Sequence, residues 1–261
     1  MNRFDLEDRP SPSRSRLRSL VVLLVTLRAG VALAEPPSID RLVPQAVRPG
    51  EATEIVVRGK RLDGPVALWT SFASEVEAIA SESRSNEARF RVRVSGDVAP
   101  HVGGVRVITS EGASDLVLCM VDDLPSVQAR SSHGTRESAL RIEPPVALDG
   151  ETAGESSLWF ELEAREGDEL SFEVFAQRIG SELDPVLRLV DDQGRELAFS
   201  DDDPVSGADS RFRHRFARGG KCFLELRDIT WRGGSSYRYR LRIGRFPIVG
   251  VPFPLAITAG A

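Results

Sequence analysis

Apolar and polar residues alternate one by one through much of this chain, and this period of two restricts the fold more than any other feature of the sequence. The run 89–94 places arginine at every odd position and an apolar residue at every even one, and the run 237–243 alternates Tyr, Leu or Ile with arginine. Successive side chains of a β-strand point to opposite faces, so each run is predicted to be a strand with one face in a core. Only the segment 74–79 is compatible with a single turn of helix.

Turn-forming residues divide the alternating runs into many short strands. The chain of 261 residues contains 22 glycines and 16 prolines, spread along its length. Evenly spaced short strands with turn signals are typical of β-sandwiches and jelly rolls. We therefore predict an all-β protein with two β-sandwich modules: an Ig-like module over 35–121 and a jelly-roll-like module over 137–245, joined by a linker over 122–136. The apolar tail 246–261 is interpreted as the start of a further module.

The first 34 residues have the pattern of a cleaved secretory signal. An arginine-rich stretch at 14–18 precedes an apolar run at 20–27 and an Ala-x-Ala site at 32–34. The apolar run is shorter than the roughly 20 residues of a membrane-spanning helix. We predict a Sec-type signal peptide over 1–34, no stable membrane span after cleavage, and a secreted, periplasmic or cell-envelope location. An uncleaved anchor or a disordered tail is the alternative.

Net charge and the two cysteines restrict the partners and the chemistry. The chain has 34 basic and 39 acidic side chains, and without residues 1–34 it has 28 and 36. A negatively charged surface does not attract nucleic acid, so nucleic acid is excluded as a partner. Cys119 and Cys222 lie in different predicted modules, each inside an apolar alternation. We interpret them as buried thiols that act as small apolar residues; a disulfide, which export would permit, is the alternative.

Sequence motifs of catalysis are not recognisable in this chain. The three histidines have no metal-binding spacing, and the sequence has no Gly-x-Ser-x-Gly elbow and no glycine-rich phosphate loop. His214 alternates in phase with Phe212 and Phe216, which favours a place at the edge of a core over a role as a base. We predict that the chain is not an enzyme. A Ser-His-Asp set assembled from distant positions is the alternative.

Acidic residues crowd one region of the second module. Asp184 precedes a predicted strand, and Asp201, Asp202, Asp203 and Asp209 lie in a loop after another. Ca²⁺ takes about six to eight oxygen ligands, and a cation relieves the repulsion between crowded carboxylates. These five residues are the candidate metal ligands, for Ca²⁺, and no other cofactor is predicted. The alternative is a solvated acidic turn in which Asp202 or Asp203 caps the bend before Pro204.

Tryptophans could point to a carbohydrate, because aromatic faces stack on sugars. Trp159 falls on the outward phase of its strand, and Trp231 lies just before the predicted turn at 233–234. Three scattered aromatic residues, Trp69 among them, are more often packing residues, and packing is the interpretation adopted here.

Several blocks of the second module resemble the bacterial pre-peptidase C-terminal domain, in the variants of large planctomycete-type secreted proteins. They occur in the order of that family: LDPVLRL at 183–189, DDQGREL at 191–197, SDDD at 200–203 and GGKCFLELRD at 219–228. The resemblance covers about 137–245 and implies a non-catalytic, jelly-roll-like sandwich appended to secreted proteins. Some relatives in collagenases bind calcium and collagen. Cys222 departs from the family, which usually has an aromatic residue in this strand.

The first module resembles IPT/TIG domains, which are immunoglobulin-like. The similar segments are PSIDRLVP at 37–44, RPGEATEIVVRGKRL at 48–62 and VRVITSEG at 105–112. Together the two resemblances imply an exported, non-catalytic binding or scaffolding protein of the cell envelope or exterior, whose partner is an unknown protein or polysaccharide. The alternative is a pair of accessory domains of a secreted peptidase or other hydrolase whose catalytic part is absent from this chain.

Overall fold

Alternating runs pair into sheets throughout the part of the chain that the structure describes, residues 35–64, 66–129 and 133–251 of a computed structural model. Residues 35–251 belong to one compact unit. The predicted signal peptide and the last part of the predicted tail lie outside the described residues. Within those ranges helix is limited to two short 3-10 turns, η1 (Arg136–Ser138) and η2 (Gln177–Ile179). A helix long and apolar enough to cross a membrane is not found there.

The first sandwich consists of two sheets with the strand orders β1-β3-β6-β5 and β2-β9-β7-β4, and β8 pairs with β7. Its strands are β1 (Ser38–Val43), β2 (Ala46–Val47), β3 (Ala52–Lys60), β4 (Ala67–Thr70), β5 (Ser74–Arg84), β6 (Glu87–Val94), β7 (His101–Thr109), β8 (Gly112–Ala113) and β9 (Val117–Val121). Even-numbered residues of β6, such as Phe90 and Val92, lie in the core with Cys119. The single helical turn considered for 74–79 is wrong: antiparallel pairing with β6 makes this segment part of β5, and such long-range pairing overrides local propensity.

The second sandwich is built in the same way from two five-stranded sheets. The orders are β10-β12-β19-β14-β17 (sheet C) and β11-β13-β18-β15-β16 (sheet D). The strands are β10 (Ser126–Gln128), β11 (Leu140–Arg141), β12 (Val146–Glu151), β13 (Leu158–Ala164), β14 (Glu169–Phe175), β15 (Pro185–Asp191), β16 (Glu196–Ser200), β17 (Arg211–Arg215), β18 (Gly220–Asp228) and β19 (Arg238–Gly244). The predicted fold class, all-β with sandwich modules, is confirmed.

Both cysteines are free and buried, as predicted. Cys119 lies in the first core and Cys222 in the second. Burial raises the pKa of Cys119 to about 12 and that of Cys222 to about 11, so both are protonated thiols at neutral pH. His214 is half-buried at the edge of the second core, with its ring 4.7 Å from that of Phe216.

A buried ionic network joins the predicted linker to the second sandwich. Arg240 is fully buried and donates hydrogen bonds to Asp122, Asp149 and Ser126, and Arg242 donates to Asp122. These arginines lie on the outward face of β19, as their phase predicts, but that face is covered rather than solvated. The predicted linker 122–136 also contains β10, which pairs with β12. The module boundaries themselves remain predictions.

An apolar cluster lies beside this network and packs the two sandwiches against each other. Ala46 and Met120 come from the first sandwich, and Phe175 and Ile179 from the second. All four are at most 8% exposed, so the contact is dry. Burial of apolar area against an ionic network favours one fixed arrangement of the two sandwiches.

Candidate functional site

All three tryptophans of the chain lie at the surface. Trp69 is 46% exposed and Trp231 45%, and Trp159 is half-buried. Exposing a large aromatic ring forgoes its hydrophobic stabilisation, and aromatic residues are enriched where proteins bind ligands. The interpretation of these residues as packing residues therefore does not describe Trp69 or Trp231.

A row of four residues crosses the outer face of sheet D. Trp159 on β13 is paired with Glu225 on β18, Glu225 with Arg188 on β15, and Arg188 with Phe199 on β16. Phe199 is 47% exposed. Neighbouring strands are about 4.8 Å apart, so the two aromatic residues at the ends of the row are separated by about 14 Å. The row has an aromatic ring at each end and a charged pair between the rings.

The two charged residues in the middle of the row hold each other in place. Glu225 is 6% exposed, and its two carboxylate oxygens accept hydrogen bonds from Ser157 Oγ at 2.6 Å and from Arg188 Nε at 2.7 Å. The Arg188 guanidinium is also 5.9 Å from the Trp159 ring centroid. A guanidinium has five N–H donors, so Arg188 retains donors for a ligand while its position is fixed.

Trp231 extends this surface beyond the end of β18. Its backbone is in the left-handed region, with φ of 61°, which is costly for a bulky residue. The turn is held by Asp228, whose carboxylate accepts hydrogen bonds from the backbone N–H groups of Thr230 and Arg232. The guanidinium of Arg227 lies over the Trp231 ring, with its central carbon Cζ 4.5 Å from the ring centroid. A strained turn that presents an exposed ring is typical of a functional position.

We refer to these residues together as the aromatic platform. Its members lie on the outer face of sheet D or on the turn after it, and they are Trp159, Arg188, Phe199, Glu225, Arg227 and Trp231. In the sequence, only the outward phase of Trp159 and the place of Trp231 before a predicted turn indicate this surface. Arg188, Phe199, Glu225 and Arg227 come from strands β15, β16 and β18, and only the register between strands brings them beside Trp159.

Two of the five candidate calcium ligands are occupied by hydrogen-bond donors of the protein. Asp209 is fully buried and accepts hydrogen bonds from three consecutive backbone N–H groups, 176–178, and from Arg178 Nε. Burial alone would raise the pKa of Asp203, but hydrogen bonds from Arg211 and from the backbone N–H groups of Ser206 and Val205 lower it to about 2. Both carboxylates therefore stabilise loops.

The other three candidates, Asp184, Asp201 and Asp202, lie near one another and near Asp228. The pKa of Asp184 is raised, first by burial and then by the negative charges of Asp202, Asp228 and Asp201. Asp184 Oδ1 is buried and has no hydrogen-bond partner. Sequence reasoning did not include Asp228, the last residue of β18. In the described ranges no group of three or more His, Cys, Asp or Glu residues is arranged to hold a metal ion, and calcium binding remains a prediction.

Comparison with known proteins gives weak structural similarities. No family model and no curated protein matches the chain. The pre-peptidase C-terminal domain of a collagenase from Bacillus anthracis is 16% identical, over 40% of this chain and 93% of that domain, with a TM-score of 0.33. A periplasmic inhibitor of g-type lysozyme from Aeromonas hydrophila is 13% identical, over 46% of this chain and 94% of the inhibitor, with a TM-score of 0.29.

A longer similarity is found with a protein of a xyloglucan utilization locus of Bacteroides uniformis. SGBP-B of that locus is 12% identical, over 82% of this chain and 74% of SGBP-B, with a TM-score of 0.28. The family membership expected for 137–245 remains a prediction. None of these similarities assigns a ligand to this chain.

Proposed function

We propose that this protein is a non-catalytic binding protein and that its second sandwich binds polysaccharide on the aromatic platform. The observation that carries the proposal is the row from Trp159 to Phe199 with the fixed Glu225–Arg188 pair between them. The proposed place of action is outside the cytoplasm, as the signal-like N-terminus predicts.

The chemistry of the platform suits a sugar polymer. A pyranose ring has an apolar face of C–H groups, which packs on an aromatic ring, and hydroxyl groups at its edge, which need hydrogen-bond partners. Phe199 and Trp231 provide exposed rings, and Arg188 provides donors whose position the pair with Glu225 fixes. Fixing these side chains before binding reduces the entropy lost on binding. The strip of about 14 Å is long enough for more than one sugar unit.

A protein partner would use such a surface differently. Protein interfaces bury on the order of 800 Å² per partner and depend on apolar anchors inserted into pockets. The platform carries a paired Glu and Arg at its centre, so it favours a hydroxyl-rich ligand. The platform therefore fits a polysaccharide better than a protein partner.

The test is affinity electrophoresis of the purified chain through gels that contain hydroxyethylcellulose, xylan, mannan or polygalacturonate. We expect retardation by at least one polymer and a loss of about tenfold or more in affinity for Phe199→Ala and for Trp231→Ala, since each removes a stacking ring. Trp69→Ala is the matched control, because Trp69 is equally exposed but belongs to the first sandwich. Migration unchanged by all four polymers, or equal retardation of the platform variants and the wild type, would refute the proposal.

A further inference from the structure

A polar cleft lies between the two sandwiches. This cleft has a volume of about 530 Å³. Arg41 contributes to it from β1, and Asp149, Glu151, Thr152 and Arg238 contribute from β12, its following loop and β19. Its volume is within the range of small-ligand sites in proteins.

Two arginines, Arg41 and Arg238, and two carboxylates, Asp149 and Glu151, line the cleft. Arg41 Nη1 lies 2.6 Å from Glu151 Oε1, and Glu151 is the cross-strand partner of Arg238. Both oxygens of Asp149 accept hydrogen bonds from Arg240, which also pairs with Asp122, so Asp149 is already engaged. Two arginines, Arg41 and Arg238, therefore share the single remaining carboxylate of Glu151.

Burial and the nearby charge of Arg41 disfavour the positive charge of Arg238. Burial lowers the pKa of Arg238; Glu151 opposes this effect and the positive charge of Arg41 adds to it. Arg238 Nη1 donates a hydrogen bond to the carbonyl oxygen of Asp40, but Arg238 Nε is buried and has no partner. A second anion in the cleft would relieve the repulsion and give Nε an acceptor.

Thr152 supplies an uncharged group that also lacks a partner. The residue is 2% exposed, and its Oγ1 has no hydrogen bond. Its backbone is fixed, because the N–H donates to Tyr237 and the carbonyl accepts from Gly234. Buried hydroxyls without a partner are rare and cost stability, so an unpartnered one at a polar cavity points to a missing ligand atom.

The wall beside Thr152 is built by a close approach of two loops. A Cβ atom added at Gly233 would collide with the backbone of residues 152–154. Only glycine allows this approach, which brings the 233–234 turn against the loop after β12. This part of the cleft lining is thus formed by two closely packed loops.

We propose that the cleft binds a sugar acid, a hydroxyl-rich ligand with one carboxylate, such as a uronic acid. The carboxylate pairs with Arg238 Nε beside Arg41, and Thr152 Oγ1 exchanges a hydrogen bond with a ring hydroxyl. Both protein atoms are shielded in the free protein, so binding involves a small side-chain rearrangement, such as rotation of Thr152 about χ1. The cleft shares no lining residue with the platform, and the proposal does not depend on the platform's function.

The experiment is isothermal titration of the full chain with D-galacturonate, D-galactose and acetate at one ionic strength. Galacturonate has both features of the ligand, whereas galactose lacks the carboxylate and acetate lacks the hydroxyls. We expect galacturonate to bind about tenfold or more tightly than either. The linear trimer distinguishes the source: tighter binding of the trimer indicates a uronic acid within a polymer, and equal binding indicates the free sugar acid.

Variants locate the site and separate binding from folding. Thr152→Val is expected to weaken galacturonate binding about fivefold to tenfold without lowering Tm, since it removes a hydroxyl that has no partner in the free protein. Arg238→Lys keeps the charge but loses Nε, and should weaken binding about tenfold or more. Trp69→Ala is the control. Equal affinity for galacturonate and galactose, an unchanged affinity of Thr152→Val, or a lowered Tm of that variant would each overturn the proposal.

Discussion

Removal of Arg240 should destabilise the protein more than removal of any exposed arginine. Arg240 is fully buried and is paired with Asp122, which is 1% exposed, and Asp149, which is 4% exposed. In Arg240→Met these two carboxylates lose a shared partner while they stay buried. Breaking a buried pair in this way costs about 3–5 kcal/mol, because a charge is left uncompensated.

The size of this effect can be measured against a matched surface pair. Arg213 lies 2.7 Å from Glu169, with both side chains about half exposed, and such pairs contribute about 0–1 kcal/mol. Arg213→Met is therefore the control. At about 2–4 °C per kcal/mol for a chain of this size, Arg240→Met should lower Tm by about 6–20 °C, and Arg213→Met by at most about 4 °C.

The assay is urea denaturation followed by far-ultraviolet circular dichroism, with calorimetry for Tm. A third variant tests the cause: Arg240→Met combined with Asp122→Asn and Asp149→Asn removes the stranded charges and should recover part of the lost stability. If Arg240→Met loses no more stability than Arg213→Met, or if the triple variant is less stable than the single one, the network does not hold the structure as argued.

Two further predictions concern the acidic loops. The pKa of Asp203 is lowered to about 2 in the folded protein, so its ionised form stabilises the folded state above the unfolded pKa of about 4. This stabilisation is lost as pH falls from about 4 to 2. In a pH series of melting curves, Asp203→Asn should therefore lose less stability over this range than the wild type. If Asp184, Asp201 and Asp202 bind Ca²⁺, millimolar Ca²⁺ should raise Tm. Asp184→Asn should abolish this shift. Asp115→Asn is the control and should keep the shift, because Asp115 lies on the exposed surface of the first sandwich. An unchanged Tm of the wild type in millimolar Ca²⁺ would end the calcium hypothesis.

Sequence alone determined which side of a strand faces a core wherever the alternation is regular. The period of two in residues 89–94 and 237–243 indicates which side chains share a face. The cores contain the side chains on the apolar face of these runs and both cysteines. His214 lies at the edge of the second core, as its phase predicts. The information is local, because backbone geometry alone fixes the alternation of side chains along a strand.

Only the tertiary structure decided what covers each outward face. The alternation places Arg240 on an outward face, where an arginine is normally exposed, yet the linker and the first sandwich bury it. In the sequence Asp209 is a candidate metal ligand, yet its carboxylate accepts hydrogen bonds from backbone N–H groups of a distant turn. The row from Trp159 to Phe199 joins strands up to 66 positions apart in the chain. Register between strands and packing between sandwiches are long-range properties, and no single run of residues contains them.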